Sequence, residues 1–229
     1  MSRVAIILSG CGVFDGAEIH EAVSVLIHLT RHGAEWKCFA PDRPIPQVID
    51  HLTGQPASGE SRNMLREAAR IARGGENIAA LTTLKADDFD ALVIPGGFGA
   101  AKNLSDFATK GAQFASLPEV EAAIKAFHKA GKPVAACCIA PPLLAKAIGG
   151  GVKVTVGEPG DAADAINAVG GRHVEKPVTE ACLDAANRIV TTPAYMYGEA
   201  TPYEVFTGIG EMIDATLSLC DTEVSTRSR

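Results

Sequence analysis

Short apolar runs alternate along this chain with longer stretches in which apolar residues recur every three or four positions. Arg3–Ser9, Ala91–Pro95 and Pro133–Cys137 are nearly continuous apolar runs, the pattern of strands buried on both faces of a sheet. Glu35–Ala40, Asn77–Leu81 and Val152–Val156 read as further strands. From Glu18 to His32 the apolar positions Ile19, Ala22, Val23, Leu26, Ile27 and Leu29 follow a helical period, and Gly33 closes it. The same reasoning predicts helices over 61–71 with Ser61 as cap, 117–130, 139–147, 161–169 and 203–219. Pro44–Gly59 contains three prolines and predicts an irregular surface excursion. His173–Pro177 and Ala181–Thr192 read as strands around a turn at 184–187, which predicts a late hairpin-like insertion or antiparallel edge.

Strands alternating with helices predict an α/β protein, a mostly parallel sheet with helices on both faces. The expected organisation is a single domain over 1–222 followed by a polar tail, 223–229. In such sheets ligands gather beyond the carboxyl ends of the strands, which selects the loops after Ser9, Pro95 and Cys137.

Composition narrows the partners. The chain has 229 residues, 47% hydrophobic and 5% aromatic, so Ala, Val, Ile and Leu must build one core. A formal charge of −6 argues against nucleic acid or an anionic membrane as partner. Gly10, Gly12 and Asp15 interrupt the first apolar run before it resembles a signal segment, and nothing approaches a membrane span. Cys11, Cys38, Cys137, Cys138, Cys182 and Cys220 are too scattered for a disulfide framework and lack zinc spacing. The expectation is a reduced, cytoplasmic protein with free thiols and no metal or cofactor.

The junction Cys137-Cys138-Ile139-Ala140-Pro141 puts a thiol between a buried strand and a helix, the position of a nucleophile elbow. There a helix N-terminus would lower the thiol pKa and supply N–H donors to an oxyanion. Both cysteines could equally be small core residues; of the two, Cys138 is expected to face outward. Gly96-Gly97-Phe98-Gly99 lacks the spacing of a phosphate cradle, and its N–H at Gly97 suits half of an oxyanion hole or a tight strand exit. Glu18 and Glu21 lie three apart at the start of a helix whose loop converges on Cys138. Glu21 is therefore a candidate proton carrier, against the plain alternative of favourable helix-end charge. His173-Val174-Glu175 is too short a match to support a catalytic triad.

These residues resemble the PfpI superfamily, the class I glutamine amidotransferase-like proteins, and more closely its isoprenoid-biosynthesis (enhancing lycopene biosynthesis) glyoxalase branch, which has mitochondrial relatives in animals. The segments ILSGCGVFDGAEIHEAV, FAPD, HLTG, SRNMLREAARIARG, VIPGGFGAAKNLSDFA, CIAP and IVTTPAYM carry the resemblance across nearly the whole chain. It implies a flavodoxin-like three-layer sandwich and a homodimer. It also implies Cys138 as elbow nucleophile, Glu21 as its carboxyl partner, and Gly97 with Ile139 as oxyanion donors. The implied activity is a cofactor-independent, glyoxalase-type lyase that converts a small aldehyde such as glyoxal to glycolate.

Two positions depart from the wider superfamily pattern. Ile139 stands where protease-like members have a histidine, and Gly157 appears where deglycase-like members carry another. Amide chemistry needs a positioned acid for its nitrogen leaving group, and an aldehyde does not. The alternative is a non-catalytic redox sensor or chaperone-like stress protein in which Cys138 is oxidised.

Overall fold

The computed structural model describes residues 1–227, with side chains through Asp221. Strand β1 (Arg3–Ile7) enters the centre of the sheet, and helix α1 (Ile19–Arg31) crosses back to β2 (Glu35–Ala40). The excursion that follows carries a small hairpin, β3 (Ile49–Asp50) and β4 (Gln55–Pro56), before α2 (Met64–Ile71) and β5 (Ile78–Ala80). Next come β6 (Ala91–Ile94), the short helices α3 (Phe98–Lys102) and α4 (Phe107–Lys110), α5 (Pro118–Lys129) and β7 (Val134–Cys137). The chain continues through α6 (Pro141–Ile148), β8 (Lys153–Val154), α7 (Asp161–Ala168) and β9 (Arg172–His173). It closes with β10 (Cys182–Asp184), β11 (Ile189–Thr192) and α8 (Pro202–Arg227).

Seven strands form the main sheet in the order β10-β11-β7-β6-β1-β2-β5, all parallel except the edge strand β10. This is the flavodoxin-like α/β sandwich expected from the sequence. Strand alternation divides the core in two. Val4 and Ile6, Ala91 and Val93, and Ala135 and Cys137 face α1, α2 and α8, whereas Ala5 and Ile7, Leu92 and Ile94, and Val134 and Ala136 face α5 and α6. Because β1, β6, β7 and β11 are adjacent and parallel, the loops leaving them crowd together at one edge of the sheet.

Several local expectations change. Asn63, not Ser61, caps α2: its side chain accepts from Arg66 N at 3.0 Å and donates to Asp42 at 2.8 Å. The late hairpin is β10 with β11, joined by the turn at 184–187, where Asp184 accepts from Asn187. β8 leaves the main sheet and pairs in parallel with β9, so the strand near His173 belongs to a separate ribbon. The Pro44–Gly59 excursion buries Ile45, Val48 and Ile49. It is pinned to the first loop by Asp15, which accepts from Ile49 N at 2.8 Å, and by His51, whose Nε2 accepts from Phe14 N at 3.2 Å. Part of the expected polar tail, 223–227, continues α8 in backbone, and residues 228–229 lie outside the described residues.

Leu29 has no exposed surface on the α1 face of the core. Leu29→Ala is expected to lower stability by about 2–5 kcal/mol, read from the midpoint of urea unfolding.

Candidate active site

Cys138 is the first residue beyond β7 and has φ +57°, a conformation that L side chains rarely adopt. Such strain costs about 1–3 kcal/mol and persists only where surrounding bonds fix it. Here the Cys138 N–H donates to Thr192 O at 3.1 Å, and Ala140 N donates to Cys137 O at 3.1 Å. The turn aims the thiol back across the ends of the sheet, where it is only 8% exposed.

The electrostatics differ from the helix-end expectation. Helix α6 begins at Pro141-Pro142, two residues that have no N–H to offer. Burial and the neighbouring Glu21 charge push the Cys138 thiol well above its usual value. Opposing them, the backbone N–H groups of Gly97 and Ile139 lie near enough to the sulfur to lower its pKa. The N–H groups of Gly97 and Ile139 stand beside the thiol, and the expected depressed thiol pKa is not found.

Glycines allow this crowding. A Cβ on Gly96 would overlap Cys138 Cβ and lie 2.7 Å from Glu21 Oε2. Gly97 sits at φ +88°, where a side chain would strike Gly16 O and Glu18 N. The loop after β6 is laced to the first loop by Glu18 N to Gly96 O (3.1 Å), Phe98 N to Val13 O (2.7 Å) and Gly99 N to Gly16 O (2.9 Å). Buried Asn103 completes the lacing by donating to Ser9 O at 2.8 Å and Asp15 O at 2.7 Å.

Glu21 lies at the focus, with no exposed surface. Its Oε2 accepts from Gly96 N at 2.9 Å and from Cys137 Sγ at 3.5 Å, and its Oε1 accepts from Tyr195 N at 3.3 Å. The Cys138 thiol is also close enough to act on it. Burial, and then the charge of Glu18, raise its pKa from 4.5 to about 7, against the pull of the Tyr195 N–H and the two thiols. Glu21 therefore titrates near neutrality beside a thiol raised well above its usual value. When Glu21 is protonated it no longer repels a thiolate and becomes a donor to it.

The structure thus brings together Cys138, Glu21, Gly97 and Ile139. It adds residues the motifs did not assign: Cys137 as a second thiol on Glu21, Gly96 as a donor to it, and Tyr195 on the following strand's exit. Tyr195 was reachable from sequence, since β11 is parallel and its loop leaves the sheet at the same edge. Glu18 caps α1 by accepting from Glu21 N at 2.7 Å. His173 stands on β9 and hydrogen-bonds the backbone of Gly157, in the separate ribbon. Arg62 pairs with Glu60 at 2.7 Å on the surface beside α2.

Residues 12–196 match the DJ-1/PfpI family. The chain belongs to that family. It is 52% identical over 227 residues to the human glutamine amidotransferase-like class 1 domain-containing protein 3, mitochondrial, covering 95% of this chain and 83% of the relative. The rat ES1 protein homolog, mitochondrial, is 51% identical over 227 residues, with 95% and 84% covered. Among solved structures, an isoprenoid biosynthesis protein with an amidotransferase-like domain from Ehrlichia chaffeensis superposes with a TM-score of 0.88 at 41% identity, covering 96% of this chain and 99% of that one. The DJ-1/PfpI family includes enzymes such as deglycases and proteases. The mitochondrial relatives overturn the expectation of a cytoplasmic protein. Free cysteines do not specify a compartment.

The raised carboxyl has a stability consequence with a definite sign. The folded state binds the Glu21 proton more tightly than the unfolded state between 4.5 and about 7. The group's contribution is therefore fully favourable below 4.5 and is lost as pH rises through about 7, by roughly 3 kcal/mol in all. Glu21→Gln removes this titration. Urea unfolding at pH 5 and pH 8 is expected to show a smaller pH-dependent loss for Glu21→Gln than for wild type.

Proposed function

We propose that this chain is a cofactor-independent glyoxalase- or deglycase-type enzyme that converts glyoxal to glycolate through a Cys138 hemithioacetal. One observation carries the reading: a thiol, a carboxyl that titrates near neutrality and two backbone N–H donors converge with no histidine on the thiol among the described contacts. Those groups suffice for an aldehyde, which accepts sulfur directly and expels nothing.

The reaction starts with the Glu21 carboxylate taking the proton of the Cys138 thiol. The sulfur attacks one aldehyde carbon, and the new oxyanion, held by the Gly97 and Ile139 N–H groups, takes the Glu21 proton. Glu21 carboxylate then removes the C–H proton from that carbon, leaving an enediolate. A proton moves between the two oxygens, and Glu21 returns its own to the second carbon. The product is a glycolyl thioester on Cys138, which water hydrolyses to glycolate. The Ehrlichia chaffeensis relative's description as an isoprenoid biosynthesis protein supports a place for this activity beside isoprenoid metabolism.

We also propose a homodimer. Helix α1 leaves Ile19, Val23 and Ile27 exposed at helical spacing, 44%, 37% and 46% respectively, and one face repeated in this way can pack on its own copy about a two-fold axis. Sedimentation is expected to give a dimer for wild type and a monomer for Ile27→Glu; a wild-type monomer overturns the assembly.

The activity is tested by glycolate release from glyoxal without added thiol or metal. Cys138→Ser and Glu21→Gln are expected to lose at least about 100-fold in rate, whereas Cys137→Ser retains turnover. A wild-type rate no greater than that of free cysteine rejects the enzyme reading. Oxidation confined to Cys138 after mild peroxide would then favour the redox sensor.

A further inference from the structure

The proposed reaction leaves one step without a base: activation of the water that hydrolyses the thioester. Glu21 is poorly placed for it. Its carboxyl is wholly buried, so it meets a substrate bonded to Cys138 but not bulk water. Water must approach from the solvent side of Cys138.

Two residues from different elements meet beside Glu21. Tyr195 belongs to a tight 3-10 turn, Ala194–Met196, that leaves β11 three residues beyond the carbonyl holding the Cys138 N–H. Ala194 has φ +46°, so the turn is held in a strained form as it directs Tyr195. The Tyr195 backbone N–H is already on Glu21, at 3.3 Å. Its hydroxyl lies 2.7 Å from Nδ1 of His20, and the two rings are 5.8 Å apart between centroids. His20 occupies the first turn of α1, next to Glu21 in sequence, and its side chain is exposed. Tyr195 is partly buried, so the pair runs from a residue that binds Glu21 out to solvent.

We infer that Tyr195 and His20 form a proton relay that activates water for hydrolysis of the Cys138 acyl-enzyme, with Tyr195 facing the water and His20 acting through it. The inference rests on the acyl-enzyme chemistry proposed above. As the water oxygen adds to the thioester carbonyl, its proton passes to the Tyr195 oxygen while the phenol proton passes to His20 Nδ1. The Gly97 and Ile139 N–H groups hold the tetrahedral oxyanion. Collapse breaks the carbon–sulfur bond, and its electron pair returns to Cys138. The released acid leaves its proton with the Cys138–Glu21 pair and departs as carboxylate. The imidazolium gives the second proton to solvent. Partial burial and the charges of Glu18 and Glu21 raise the Tyr195 pKa, so the phenol stays protonated and available as the middle of the relay.

The relay supplies the histidine that the elbow lacks. His20 comes from a helix start instead of from the residue after the nucleophile, and it reaches the site through a phenol. The arrangement suits the removal of a thiol leaving group, which needs no protonation at nitrogen.

The test bypasses aldehyde chemistry by acetylating Cys138 with p-nitrophenyl acetate. The p-nitrophenolate burst reports acylation, and intact-mass loss of the acetyl group reports hydrolysis. Tyr195→Phe and His20→Ala are expected to keep the wild-type burst and melting temperature while losing the acetyl group about 100-fold more slowly. Added imidazole should restore hydrolysis in His20→Ala toward wild type and leave Tyr195→Phe slow. Unchanged hydrolysis in both variants overturns the relay. Loss of burst, hydrolysis and melting temperature together also overturns it, because the pair is then only a structural tie between α1 and the turn. A wild-type Cys138 that is not acylated removes the intermediate on which the relay acts, and with it the proposal. If glyoxal is not turned over yet the variants retain acetyl-enzyme, the glyoxal reading fails and the relay stands.

Discussion

A carboxyl group with no exposed surface, set at the carboxyl ends of parallel strands, is the constraint on which this site depends. Glu21 enters from α1, yet it binds the loop after β6 through Gly96, the end of β7 through Cys137 and the exit of β11 through Tyr195. Burying a carboxyl without partners is costly, and these N–H and S–H donors reduce that cost. The remaining penalty appears as the pKa of about 7. The desolvation that makes Glu21 a poor surface acid thus makes it a useful proton carrier at neutral pH.

The same constraint fixes the glycines and the strained backbone. Three loops can meet on one carboxyl only if their backbones approach more closely than side chains permit, so Gly96 and Gly97 leave room for Cys138, Glu21 and the first loop. Cys138 at φ +57° and Ala194 at φ +46° then carry strain on either side of Glu21. Neither conformation would persist in an isolated loop. Both are held because Cys138 N bonds the end of β11 and Tyr195 N bonds Glu21. The site is therefore rigid for reasons that lie in the sheet, and the chemistry depends on the core behind it.

The layers of this fold were legible because apolar runs such as Ala91–Ile94 and Val134–Cys137 are buried on both faces and carry no competing signal. The late strands were harder to read. β8 and β9 are two residues each, too short for periodicity to show that they pair with each other apart from the main sheet. The cap of α2 moved from Ser61 to Asn63 because Asn63 ties Asp42 as well as the helix, a tertiary contact absent from local pattern. At the site, position pointed to Cys138, Glu21 and Gly97, and the family resemblance added Ile139. The thiol's electrostatics did not follow from position, since Pro141 and Pro142 remove the helix-end donors and burial dominates. The contact between His20 and Tyr195 spans 175 residues and no local rule brings those positions together.

The raised thiol also bears on which chemistry the site favours. A permanently ionised cysteine beside a carboxylate would repel it and attract oxidants. Here burial holds the thiol protonated until Glu21 takes its proton, so the nucleophile and the acid that quenches the new oxyanion arise together. Addition to an aldehyde needs that pair and nothing more, because no leaving group must be protonated. Hydrolysis of the resulting thioester needs a base after Glu21 has returned to its donors, and a group outside the buried pair is the consistent place for it. In the proposed reaction, the division between a dry site for carbon–sulfur and proton-transfer steps and a wet edge for hydrolysis follows from one fact of geometry: Glu21 has no exposed surface, and His20 is exposed.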